Sequence, residues 1–500
     1  MNIFSLLTDP IRRRPDAPAV VHGDRRLSYG ALDSAAAAVG AMLERLGCMA
    51  GDRVLLYLRN GFEYPVLLLA PMRAGMVVVP VNAKLHPREV AFICRDAEPK
   101  VVIAHRDGID ALRQVVEGLQ PHFVAVEDFV LPAVADSVEP PAEVAPDDPA
   151  WIFYTSGTTG KPKGATLTHR NLIAASVNCL ADVFAFRADD RVLHVAPLSH
   201  GSGLYLLPSL ARGAENVIWE QPGFQPDAVL ARIASDRVTV IAFVAPTMIV
   251  RLLDAAPRGD LESLRGVIYG GATIHLEHIR ASVRRFGPIF HQLYGQGEAP
   301  MTITYLPGPD HADGDDDLLL SAGHVRSGVE VRLVDEHDRP VPDGEDGEIC
   351  VRGDVVMKGY WRNPEATAAT LRGGWLHTGD IGRFDPKGRL RVLDRRHDTI
   401  ISGGTNIYPK EIEDVLAAHP AVREVIAFGV PDREWGESVA VAVVVDPGAA
   451  PSEAELLAFC RESLASFKKP KRIHFLDELP KSAYGKVLRR TLRERYSSPD

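Results

Sequence analysis

The sequence predicts an α/β fold: a large N-terminal domain of parallel-type sheets flanked by helices, a β-rich subdomain after it, and a small α+β C-terminal domain. Three observations carry this. Helix-period and strand-like segments alternate along the first part of the chain, as they do when covering helices join parallel strands. From Val329 the texture becomes β-rich. After Arg395 it changes again, into a tail of about 100 residues, a reasonable size for an independent domain.

The elements follow in order. Tyr29 to Leu46 reads as a helix with Leu32, Ala36, Val39 and Leu43 on one face. Asp52 to Leu58 is a buried strand, Phe62 to Arg73 a helix, and Gly75 to Val81 a Val-rich strand. Arg88 to Asp96 is helical and Val101 to Ala104 a short strand. Pro132 to Asp148, rich in Pro, Ala and acids, is a connecting loop. Val238 to Val244, Gly266 to Tyr269 and Pro288 to Tyr294 are central strands, each ending in small or polar residues where ligands sit in open α/β sheets. His311 to Asp317 reads as a solvated acidic turn. Val329 to Val334 and Glu348 to Arg352 are strands, with a turn at Pro342 to Gly347. In the tail, Pro409 to Ala418 is a helix, Arg423 to Val430 and Ser438 to Val445 are strands, and Ser452 to Glu455 is a capping box opening another helix.

Composition narrows the function. At 500 residues, about one domain per 150 residues gives about three units. Hydrophobic content of 46% and charged content of 24% are ordinary for a soluble globular protein. A net charge of −10 argues against a nucleic-acid partner. Cys48, Cys94, Cys179, Cys350 and Cys460 form no C-x-x-C pair, so neither a zinc site nor a disulfide framework is indicated. A reducing compartment, most simply the cytoplasm, is expected. The apolar patch of residues 1–14 precedes its charges instead of following them, unlike a signal peptide. Apolar stretches fall short of a transmembrane span.

The most informative segment is Tyr154-Thr155-Ser156-Gly157-Thr158-Thr159-Gly160-Lys161-Pro162-Lys163-Gly164. Glycines let backbone N–H groups approach an anion, hydroxyls add donors, and lysines add charge. The mixture suits a polyphosphate. Apolar Ala150 to Tyr154 reads as the strand feeding it. The pattern G-x-x-x-x-G-K-[ST] does not fit: from Gly157 the required Gly is Pro162, and from Gly160 it is Ala165.

The run is similar, almost letter for letter, to the phosphate loop of the adenylate-forming superfamily: acyl-CoA synthetases, peptide-synthetase adenylation domains and firefly luciferase. The resemblance spans essentially the full chain in the family's order. It implies ATP contacts from Thr155, Ser156, Gly157, Thr158, Thr159, Gly160 and Lys161. Gly270-Gly271-Ala272 resembles the segment that packs on adenine, which brings in Gly271 and Ala272. Tyr294-Gly295-Gln296-Gly297-Glu298 resembles the family's aromatic-Gly-x-Thr-Glu motif, with Tyr294 stacking on adenine and Glu298 helping to hold Mg²⁺. One carboxylate near phosphates suits that ion. Thr378-Gly379-Asp380 resembles the ribose clamp. Val392 and Arg395 join the nucleotide contacts, and Arg395 marks the domain boundary, giving units 1–394 and 395–500. For Arg395 a surface ion pair is the alternative fate. Lys486, in Pro480-Lys481-Ser482-Ala483-Tyr484-Gly485-Lys486, matches the catalytic lysine. Thr155, His200, Glu298 and Lys486 are the implied catalytic set.

The small domain is implied to be mobile about a hinge at His397, so that one half-reaction forms an acyl-adenylate and the other passes the acyl group to a thiol. Gly403, Gly404, Trp435, Phe467, Lys469 and Lys471 are the implied coenzyme A contacts, with a plain basic surface loop as the alternative for the two lysines. The acyl pocket is implied to comprise His200, Ser202, Phe243, Val244, Ala245, Gly271, Gly295, Gln296, Gly297 and Met301. These are uncharged, and Leu293 stands where malonate-activating relatives carry Arg, so an uncharged acyl tail is expected. Ala196 to Gly203 lacks the Asp that holds an amino group in peptide-synthetase domains.

The implied reaction is an AMP-forming acid–CoA ligation using ATP, Mg²⁺ and CoA, with a homodimer as an open assembly. A stand-alone adenylating enzyme loading a carrier protein, or a nucleotide-binding pseudoenzyme, are the alternatives. Departures from the family pattern are Gly297 for Thr, which removes a hydroxyl and is expected to enlarge the acyl side, His397 at the hinge, and Ala483-Tyr484 before Gly485-Lys486.

Overall fold

The computed structural model describes residues 1–497 except 117, 132–137, 156–161, 257–258, 273, 313, 396–397, 399, 403–404, 433–435, 465–467 and 482–486; for 394, 395, 401, 405, 406, 436 and 463 only the backbone is described. Four sheets organise these residues. One is seven-stranded, in the order Gly359–Tyr360, Lys163–Thr168, Pro149–Thr155, Val77–Asn82, Arg53–Leu58, Val101–Ala104 and His122–Ala125. Its last five strands are parallel, and Lys163–Thr168 runs antiparallel to both of its neighbours, Gly359–Tyr360 and Pro149–Thr155. Helices Tyr29–Arg45 and Tyr64–Arg73 cover one face, where Tyr29, Leu32, Leu43, Leu67 and Trp151 share a core. Pro87–Ala97 covers the other, with Val90 and Ile93 packed on Val79 and Val102.

The second sheet has nine strands. Its parallel centre contains Phe290–Gln296, Gly266–Gly270, Val240–Val244, Arg191–His194, Glu215–Ile218 and Pro18–His22. Antiparallel Ala299–Leu306 and His324–Val325 close one edge, and Arg25–Ser28 the other. The β-rich region is a four-stranded antiparallel sheet of Glu330–Val334, Gly347–Arg352, Leu376–Phe384 and Leu390–Arg395. Beyond it lies a five-stranded sheet built on the Val422–Asp432 and Gly436–Val445 hairpin, with helices Pro409–Ala417 and Glu453–Ser463. Ile412, Leu416, Val441 and Leu456 form its core.

This is the expected α/β architecture, with one local correction. The acids Asp315, Asp316 and Asp317 are exposed, as a solvated segment requires, but they open a short helix and the segment starts on a buried residue. His311 is buried, its Nδ1 against the Pro307 carbonyl at 2.9 Å and its Nε2 against the Tyr269 hydroxyl at 3.1 Å. Asp315 caps the short helix Asp316–Leu320, its Oδ1 accepting from the Leu318 N–H at 2.7 Å. Polarity along the chain hid one inward-facing imidazole and a cap.

All five cysteines are buried and unpaired. Burial pushes the thiols up to about 11 at Cys48 and Cys460, and to about 12 at Cys94, Cys179 and Cys350. No helix among the described residues is long and apolar enough to cross a membrane.

Candidate active site

The phosphate-loop run grows from a hairpin. Thr155 and Lys163 are Cα partners at the ends of its two strands. Residues 156–161, the heart of the predicted loop, lie outside the described residues, as do His397, Gly403, Gly404, Trp435, Phe467 and Lys486. Glycine is required at 164, where a Cβ would meet Ile152 Cγ2 at 2.6 Å.

Facing the hairpin, the antiparallel strands Phe290–Gln296 and Ala299–Leu306 turn at Gly297-Glu298. Alternation along the strand puts Tyr294 and Gln296 on one face, and the turn carries Glu298 toward Thr155. Tyr294 donates its hydroxyl to Asp380 Oδ2 at 2.7 Å, and Gln296 Nε2 donates to the same oxygen at 2.8 Å and to the Thr378 carbonyl at 2.9 Å. Asp380 is 5% exposed and anchored from behind. Its N–H donates to Thr378 Oγ1, which donates to the Ile349 carbonyl, and the Gly379 N–H donates to Glu348 Oε1. Gly379 has φ +71°, which a side chain would strain. Glu298 is also buried, and its Oε1 accepts from Tyr360 OH at 2.7 Å and Thr155 Oγ1 at 3.5 Å. One turn thus joins two carboxylates, one at each end of the five-residue motif.

Gly297 sits between them. A Cβ there would lie 2.4 Å from Thr155 Cγ2 and 2.8 Å from Phe153 Cδ1. The space is filled, so the missing side chain does not widen the acyl side at this point, contrary to the expectation from sequence. Gly297→Thr is expected to cost about 1–3 kcal/mol of stability by overpacking, because β-branched Thr155 has few rotamers to retreat into. Thermal melting and ATP–pyrophosphate exchange check this; wild-type values for both would show that Thr155 gives way freely.

The residues expected on the acyl side divide. Phe243 (φ +54°) and Met301 (φ +59°) hold left-handed backbone, costly for bulky residues. Glycines make room for them: a Cβ at Gly201 would lie 2.6 Å from Phe243 and 2.7 Å from Met301 Cε, and one at Gly295 2.5 Å from Met301 Cα. A Cβ on Gly271 (φ +81°) would lie 3.5 Å from Phe243 Cζ. Tyr205, which sequence reasoning missed, stacks on Phe243 with centroids 6.3 Å apart. Val244 points the other way, into the core with Leu193 and Val267, and Ala245 caps helix Pro246–Asp254. Ser202 is fully buried, between His194 Nδ1 at 2.9 Å and the Ala242 carbonyl at 3.2 Å. Gln296 is committed to the Asp380 side.

His200 lies near the same loops. Its Nδ1 is 2.8 Å from Ser199 Oγ and its ring meets Phe153 edge-on at 5.4 Å. Burial pulls its imidazolium down to about 4, leaving a neutral ring at neutral pH. Ala272 is exposed, and Val392 lines a cavity of about 130 Å³ with Ile274, Gln292 and Tyr408. The backbone of Arg395 pairs with that of Asp380. Lys471 Nζ donates to Asp432 at 2.7 Å, and Lys469 is half-buried beside it in the chain. Tyr360 and Phe153 were missed too, since nothing in the local pattern of either segment announces chemistry.

Residues 7–361 match the model of the AMP-binding enzyme family, and residues 411–486 that of the AMP-binding enzyme C-terminal domain. The chain belongs to the AMP-binding enzymes. Within that adenylate-forming family it lies in the acyl-CoA synthetase branch. A feruloyl-CoA synthase from Amycolatopsis is 39% identical to it, over 97% of this chain and 98% of that one. A medium/long-chain-fatty-acid–CoA ligase, FadD8 of Mycobacterium tuberculosis, is 35% identical, over 98% and 89%. Among solved AMP-binding enzyme structures, ATP-bound MatB from Rhodopseudomonas palustris superposes with a TM-score of 0.89 at 34% identity, covering 100% of this chain and 99% of that one.

Proposed function

We propose that this enzyme joins a carboxylic acid with an uncharged fatty or aryl tail to free coenzyme A, through an acyl-adenylate. The observation that carries it is the convergence of Asp380, Tyr294 and Gln296 with Glu298 and Thr155 about one strand turn. Asp380 is an acceptor for ribose hydroxyls, and its hold on Tyr294 fixes that ring where a purine can stack. Glu298, one carboxylate beside a hydroxyl, fits Mg²⁺, an ion that takes few protein ligands and completes its shell with phosphate oxygens. Bound there, Mg²⁺ would neutralise phosphate charge.

In the first half-reaction a substrate carboxylate oxygen bonds to the α-phosphorus of ATP, the bond to the bridging oxygen breaks, and pyrophosphate leaves. Thr155 to Lys161 hold the departing phosphates, and Lys486 offsets charge on the reacting oxygens. In the second, the CoA thiol gives up its proton to solvent, its sulfur bonds to the acyl carbon, the bond from that carbon to the phosphate oxygen breaks, and AMP leaves. Gly403, Gly404, Trp435, Phe467, Lys469 and Lys471 are the proposed CoA contacts, on a unit 395–500 that moves relative to 1–394 at His397. Neutral His200, with Phe243, Gly271 and Met301, is proposed to wall the acyl tail. The curated relatives are named for a fatty acid and a feruloyl group, which supports a fatty or aryl acid here. Unpaired buried thiols support a reducing, cytoplasmic setting. A homodimer belongs to the proposal and is read by light scattering.

Pyrophosphate release across fatty, aryl, dicarboxylic and amino acids, with and without CoA, tests the reading. Release with uncharged-tail acids, and thioester only when CoA is present, is the expected result. Release with amino acids alone would favour a carrier-loading enzyme, and none with any acid a nucleotide-binding pseudoenzyme.

A further inference from the structure

Tyr360 stands 62 residues from Glu298 in sequence, yet its hydroxyl donates to Glu298 Oε1 at 2.7 Å. The surrounding segment is stitched to both sides of the site. The Met357 N–H donates to the Glu298 carbonyl at 2.8 Å. Gly359 and Tyr360 pair antiparallel with Thr166 and Ala165, on the strand leaving the phosphate-loop run. The N–H groups of Lys358 and Trp361 donate to the Thr166 and Gly164 carbonyls at 2.9 and 2.7 Å. The Lys163 ammonium lies 5.1 Å from the centre of the Tyr360 ring. Thr367 Oγ1 accepts from the Tyr360 N–H at 2.9 Å, fixing the ring's root.

A buried carboxylate needs partners, but a cationic one would cancel the charge that Glu298 needs to attract a metal–phosphate group. A phenol satisfies one oxygen and leaves the charge intact. We propose that Tyr360 is a positioning residue for the adenylation half-reaction: its O–H holds the Glu298 carboxylate beside Thr155, and its ring seats Lys163 at the exit of the phosphate loop. This rests on the ligase reading above.

Tyr360→Phe keeps the ring and removes only the O–H. Pyrophosphate formation is expected to fall about 10- to 100-fold, the loss for a hydrogen bond to a charged group. Thioester formation from supplied acyl-adenylate and KM for the acid are expected to stay at wild type, and the melting temperature to fall by no more than a few degrees, the loss of one partner of a buried carboxylate. Titration calorimetry with a non-hydrolysable ATP analogue supplies a readout independent of turnover. Wild type is expected to bind it more tightly in Mg²⁺ than in EDTA, and Tyr360→Phe to lose most of that gain. Tyr360→Leu, which also removes the ring, is expected to weaken the analogue in EDTA as well. Wild-type adenylation by Tyr360→Phe, or equal loss in both half-reactions, would overturn the proposal. If wild type releases no pyrophosphate with any acid, the ligase reading fails, while the analogue titration still decides whether Tyr360 supports Glu298.

Discussion

Lys486→Ala is expected to lower acyl-adenylate formation about 10²- to 10³-fold, the usual loss when one preorganised charge-stabilising donor is removed, while thioester formation from supplied acyl-adenylate proceeds at the wild-type rate. The asymmetry follows from the proposed division of labour. Carboxylate attack brings two anions together and needs a cation between them. Thiol attack on the adenylate expels AMP and calls on the small domain's other face. Stopped-flow measurement of each half separately checks this. Equal loss in both halves would sink the alternating-domain reading, because one lysine would then serve both states.

The second large effect is acid lability. His169, His194 and His311 are buried, and burial pulls each down to about 4. Their neighbours suit neutral rings: the Ile3 N–H donates to His169 Nδ1, His194 lies between Ser202 and Asn216, and His311 between Pro307 and Tyr269. A His with a depressed folded value is fully stabilising above its ordinary value near 6.5. As pH falls from there toward 4, the unfolded chain takes up protons that the folded one refuses, and stability is lost. Each ring contributes about 1.4 kcal/mol per pH unit in that window, about 4 kcal/mol for the three together. A steep drop of the melting temperature between pH 6.5 and 4.5, flattened in His311→Asn, is expected. A melting temperature flat across that range would show that these rings ionise inside the fold.

The strands and covering helices were legible because their periodicities reflect burial on two faces or one. The cluster expected to hold a nucleotide was legible as a family pattern, and Asp380, Tyr294, Gln296, Glu298 and Thr155 converge. What stayed hidden depends on contacts across long sequence separations. Nothing local ties Tyr360 to Glu298. The consequence of Gly297 depends on Thr155 and Phe153, which fill its space from another sheet. Val244 and Ser202 sit among plausible wall positions in sequence, yet a register break at left-handed Phe243, which seats Val244 with Ile241 and not with Ala242, and a buried His194 turn them inward. The left-handed backbone at Phe243 and Met301 has no residue-type signal, since glycine is the usual occupant of that region.

The five buried cysteines have a practical corollary. Dyes that react with sulfur attack the thiolate, and a group with a value near 11 is ionised to about one part in a thousand at pH 8. A colorimetric thiol reagent sampling a turnover mixture at that pH would therefore count coenzyme A and leave the folded catalyst unlabelled. Disappearance of the co-substrate can be followed directly, and any slow extra colour would report the fraction of protein that has unfolded.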